Sequence, residues 1–196
     1  MPERGAPSPL NPALDAVYAL LAEMLEPARP GDARMGEAMT IAAALAELGE
    51  DRSWASVWYA YGALHHDLSD EALERGRELL TRVERPAAAR AAALMLLAEV
   101  EQQQATYAHE IASPARQRDL LAEAVALAPE WPMLHVRLAR AYHDAGDDER
   151  ARFHADETLS LLPAAQPRPE PFEDAISGRT LSREYITEEL RELGLA

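Results

Sequence analysis

Cysteine is absent from the 196 residues, and so is lysine. The first absence removes disulfides, thiolate metal sites and cysteine nucleophiles, and it fits a reducing compartment, so a cytoplasmic location is expected. The second leaves all 19 basic side chains as arginine, against 34 acidic ones, for a formal net charge of −15. So acidic a surface repels a phosphate backbone, and nucleic acid is not an expected partner. Solubility is the plain meaning of that charge, and a site for a basic partner is the sharper one. Long apolar runs are also missing. The longest, residues 91–98, falls far short of the ~20 residues that span a membrane. The opening MPERGAPSPLNPAL has no basic segment followed by an apolar core, so neither membrane span nor secretory leader is expected.

Motifs for chemistry are lacking as well. No Gly-rich phosphate loop, GxSxG elbow or HExxH helix occurs, so catalysis and a bound cofactor are not expected. His65, His66 and Asp67 are consecutive, but successive helical residues diverge by about 100° and cannot converge on one metal. Carboxylate pairs such as Asp147 with Asp148 and Glu188 with Glu189 fall at turns or on a helix surface, where solvated charge is normal. Glu23 and Glu99 could serve acid–base work, but nothing in the sequence singles them out.

What the chain does have is helix formers. Ala, Leu, Glu and Arg dominate, Val and Ile are sparse, and apolar residues recur every three or four positions, so the class is all-α. Asn11 with Pro12, Ser113 with Pro114, and Pro132 after Trp131 mark helix starts, while Gly49, Gly146 and Gly194 mark stops. The expected helices lie near 12–26, 32–49, 53–66, 70–84, 87–109, 114–128, 132–145 and 148–162, joined by short links that turn neighbours antiparallel. After Leu162 the sequence PAAQPRPEP cannot continue a helix. The expected organisation is a flexible N-terminus over 1–11, a helical domain over 12–165, a Pro-rich linker over 166–181 and a last helix within 182–196. Ser182 would cap that helix, with Leu181 and Ile186 as its hydrophobic staple.

The segment PMLHVRLARAYHDAGDDERARFHADETLSLLP, residues 132–163, resembles a single tetratricopeptide repeat. Leu138, Ala139 and Tyr142 stand where that family has L-G-x2-Y, Gly146 fills the turn, and Ala151, Ala155 and Pro163 match the second helix and its closing proline. Small side chains at Ala139, Ala151 and Ala155 let two helices approach to about 8 Å. Three upstream copies depart more. Trp58, Tyr61, Gly62 and His65, followed by Ala72, Gly76 and Leu79, form one; Leu94, Leu97 and Ala98, then Leu121, Ala124 and Pro129, form another; Leu21, Ala22 and Leu25, then Ala38, Ala42 and Leu45, form the third. The copies begin near residues 15, 55, 91 and 132, an irregular spacing against a family period of about 34.

The resemblance implies hairpins stacked as a right-handed superhelix, an α-α solenoid of about eight helices plus a C-terminal cap, and a protein-binding adaptor or scaffold. In that family the first helix of each repeat lines a concave groove. Carried over, the lining is Tyr59, Ala63, His66 and Asp67, then Met95, Glu99, Gln102 and Gln103, then Met133, Val136, Arg140, His143 and Asp144, with Arg137 beside Arg140. Thioethers, amides and charge suit an extended or helical peptide. Met95 and Met133 would alternatively be core fillers. The tail, with Phe172, Leu181, Tyr185, Ile186, Leu190 and Leu193, would cap the last hairpin; occupying the groove or docking elsewhere are the alternatives. Two other functions stay open: an acidic chaperone of the bacterial secretion or assembly type, and a subunit of a larger complex with Trp54, Trp58 and Tyr61 as interface anchors. The end hairpin or the last helix could also pair two copies as a homodimer. Arginine to the exclusion of lysine, with abundant alanine, suggests a GC-rich bacterial genome.

Overall fold

The structure, a computed structural model, describes residues 33–48, 52–67, 69–107, 113–162 and 183–195. Those residues form eight α-helices and no strand: α1 (Ala33–Leu48), α2 (Arg52–Gly62), α3 (Asp70–Thr81), α4 (Ala87–Tyr107), α5 (Pro114–Leu127), α6 (Pro132–Asp144), α7 (Asp148–Leu161) and α8 (Arg183–Glu192). A π-helical turn, Ala63–Asp67, continues α2. The expected helix over 12–26, its Asn11 cap, the stop at Gly49 and the linker over 166–181 lie outside the described residues, as do Phe172 and Leu181.

Local chemistry sets the ends. Ser113 accepts from the Arg116 amide at 3.5 Å and Pro114 opens α5, a position where the missing N–H costs nothing. Ser69 caps α3 through the Ala72 amide at 3.3 Å, with Asp70 and Glu71 in the positive first turn. Asp147 caps α7 through the Arg150 amide at 3.2 Å. Gly146 takes a φ of 75°, which lets the Asp147 amide reach back to the Tyr142 carbonyl at 2.9 Å and closes α6. Gly194, with a φ of 70°, ends α8 in the same way. Helix α3 stops at Thr81, three residues sooner than expected. There the Arg82 and Val83 amides tighten onto the Leu79 and Leu80 carbonyls, Arg90 donates to the Val83 carbonyl at 3.0 Å, and Ser53 donates to the Arg85 carbonyl.

Each helix from α1 to α7 packs on the next, and α2 also meets α4. The approach of α2 to α3 is close at Gly76, where a Cβ would come within 3.3 Å of Ala60 Cα. Helix α4 lies at the centre. Residues 91–98 are buried all round, which is how a helix without a polar face behaves inside a domain. Leu73, Leu80, Leu134 and Trp131 complete the main core around it, each large side chain contributing about 1.5–3 kcal/mol by leaving water. A second, smaller cluster joins Val136 and Ala155 to Ile186 and Leu190 of α8. Among the described residues no helix is long and apolar enough to cross a membrane.

Candidate functional site

Three helices that are not consecutive bring their side chains to one carboxylate. Glu99 of α4 pairs with Arg137 of α6 at 2.8 Å and has His65, from the π turn after α2, at 4.0 Å. Tyr61 stacks obliquely on His65 with ring centroids 4.4 Å apart and lies in the field of Glu99. The Glu99 side chain is only 17 % exposed, whereas Arg137 and His65 are 35 % and 40 % exposed. The carboxylate therefore forms the floor, and the Arg137 guanidinium and the His65 ring form the rim.

This geometry sets the protonation behaviour. Burial pushes the Glu99 carboxyl above the usual carboxylate range, and the Arg137 charge opposes that rise. Burial also raises the Tyr61 phenol, with the Glu99 charge adding to it. Arg137 keeps one donor unspent: its Nε is buried and makes no hydrogen bond among the described residues. A buried donor in that state is costly and is satisfied by water or by a ligand acceptor.

The remaining expected groove residues divide into three groups. Ala63, Met95 and Val136 are buried: the first two lie in the main core and Val136 lies beneath α8, so none offers a free surface. Tyr59 and Met133 are half-buried against the main core. Gln102 and Asp144 are exposed, and Gln103 and His143 are half-buried. The His143 Nδ1 sits 3.5 Å from Asp148 Oδ1, and Arg140 pairs with Glu189 of α8 at 3.0 Å. The His66 and Asp67 side chains lie outside the described residues. Trp58 is buried at 5 % exposure, and Trp54 and Tyr61 pack partly against the core.

Tyr61 and His65 were legible only as repeat-signature positions, not as groove residues. For His65 the cause is the π turn. Its wider coil changes the direction in which side chains after Gly62 leave the helix, so groove positions counted in α-helical register miss His65.

A second polar cluster lies between α6 and α7. His135 is buried and its Nε2 is 2.9 Å from the Pro129 carbonyl, which can only accept. His135 therefore donates from Nε2, and its Nδ1 shares a hydrogen bond with His154 Nδ1, 3.2 Å away. Tyr142 stacks parallel to His154 at 5.6 Å, Phe153 meets it edge-on at 5.1 Å, and Arg150 lies 5.4 Å over the Tyr142 ring. Burial, with a smaller contribution from His135, lowers the His154 pKa to about 4. Among the described residues no group of three His, Cys, Asp or Glu is close enough to hold a metal.

No family model, curated protein or solved structure matches the chain.

Proposed function

We propose that the chain is a peptide-binding adaptor, built as a tetratricopeptide-type stack in which α2, α4 and α6 are the first helices of successive hairpins and line a concave groove. One observation carries this reading: His65 and Arg137, two hairpins apart, both approach Glu99. That convergence is what first helices facing one groove would produce, and the side chains that meet at Glu99 come from α2 with its π turn, α4 and α6. Small residues at the helix contacts, Ala60 against Gly76 and the fully buried Ala139, Ala151 and Ala155, suit the same stacking.

The ligand is a peptide segment of a partner protein, held without chemistry being done on it. The buried Arg137 Nε receives a backbone carbonyl or a side-chain carboxylate, the exposed imidazole edge of His65 a second polar group, and the Gln102 and Gln103 amides the peptide backbone. The buried Glu99 sets specificity, since a ligand that broke its pair with Arg137 without replacing it would leave a buried carboxylate unpaired.

The test is panning of random peptides on the intact chain, followed by affinities for Arg137→Gln and His65→Ala proteins of unchanged helix content. Expected are binders sharing a motif, weakened about tenfold or more by Arg137→Gln, a loss near 1.4 kcal/mol. Recovery of no binder, or binders indifferent to both substitutions, would remove the groove.

A further inference from the structure

Among the described residues, helix α8 is seated through one small apolar cluster and one ion pair. Ile186 and Leu190, one turn apart, are fully buried against Val136 of α6 and Ala155 of α7, with Leu159, Leu162 and Leu195 at the edges. One ion pair, Arg140 to Glu189 at 3.0 Å, fixes its rotation. A helix of 10 residues is marginal in water by itself, so α8 depends on this seat to stay helical. Residues 163–182 separate it from α7. Helix α8 therefore competes, as a tethered segment, with any segment in solution that fits the same seat.

We propose that the strip formed by Val136, Arg140, Ala155 and Leu159 is an exchangeable helix-binding site. Helix α8 is its resident occupant, and its partner is an amphipathic helix with two large apolar residues one turn apart and an acidic residue just before the second. The occupant defines that chemistry. Ile186, Glu189 and Leu190 stand at i, i+3 and i+4, a spacing that converges on one face only in a helix. Small Val136 and Ala155 beneath them permit close approach of a second backbone. Arg140, 41 % exposed, is the only charged residue for which an ion pair to α8 is recorded among the described residues, and it selects the acid. The proposal goes beyond the groove reading and uses other residues. Loss of Arg137-dependent binding and loss of Arg140-dependent binding are separate results.

The test uses the full-length chain with Ile186→Asp and Leu190→Asp, which unseats α8. Two labelled peptides are titrated: residues 183–195, and an alanine-based helix keeping only Ile, Glu and Leu at the same spacing. Both should bind the unseated chain about tenfold or more tighter than wild type, where the resident helix competes. A peptide carrying Glu189→Arg should bind poorly, then recover on a chain carrying Arg140→Glu. Equal affinity for wild-type and unseated chains, or charge reversal without recovery, overturns the site. So does a wild-type dimer in sedimentation that the Asp pair abolishes, which gives the strip to a second copy of the chain. Should the Asp pair unfold more than α8, Arg140→Glu alone suffices: it must prefer the Glu189→Arg peptide over the native one, and failure to do so overturns the proposal.

Discussion

Acidification should cost the native chain stability that a His154→Asn chain keeps. The folded ring has its pKa lowered from 6.5 to about 4, so between those values the unfolded chain binds a proton that the folded chain refuses. A group whose folded pKa is depressed contributes stability that is fully present above the unfolded pKa and disappears as pH falls toward the folded one. At about pH 5 the uncorrected difference is roughly 2 kcal/mol, and screening at the half-exposed ring reduces it to about 1 kcal/mol. Asn removes the titration and keeps an amide that can donate to or accept from His135 Nδ1. The assay is thermal unfolding of both proteins, followed by circular dichroism, at about pH 7.5 and about pH 5. Wild type should lose roughly 2–4 °C more in Tm than His154→Asn over that interval. The carboxylates, Glu99 included, are shared by both proteins and cancel in the difference. Parallel declines would refute the assignment of this pH dependence to His154.

Arg137→Leu should destabilise the chain by about 2 kcal/mol at neutral pH, because the shielded Glu99 charge loses its partner, and by less as acid neutralises Glu99; urea unfolding across pH measures this, and a pH-independent loss contradicts it. Gly76→Val should cost about 1–3 kcal/mol through overpacking against Ala60, read as a fall in the urea midpoint at unchanged m. Ser113→Ala should cost about 1 kcal/mol by removing the α5 cap, with faster amide exchange confined to the first turn of that helix.

Most helix positions were legible because local signals suffice for them. Proline at the first turn of α5 and α6 and glycine after α6 and α8 announce their roles in the backbone, and the unbroken apolar run of α4 announces a central helix. The caps at Ser69 and Asp147 have equally local signals, a short acceptor side chain directly before a first turn that carries two acids. The site is different in kind. Glu99 and Arg137 came out of a repeat register, but their pairing, and the arrival of His65 through a π turn, depend on how three helices sit together. The pairing of His135 with His154 follows from antiparallel packing about the turn at Ala145 and Gly146, which sets the two residues nearly level across the hairpin. Val136 and Arg140 could not be told from open groove by any property of α6, because what covers them is a helix near the other end of the sequence.

The central claim is that first helices carry the ligand, and hydrogen–deuterium exchange on the intact chain with a selected peptide bound tests it most directly. The account predicts slowed exchange in α2 with its π turn, in α4 around Glu99 and in α6 around Arg137, with α3, α5 and α7 unchanged. Slowed exchange confined to α3, α5 and α7 would contradict it.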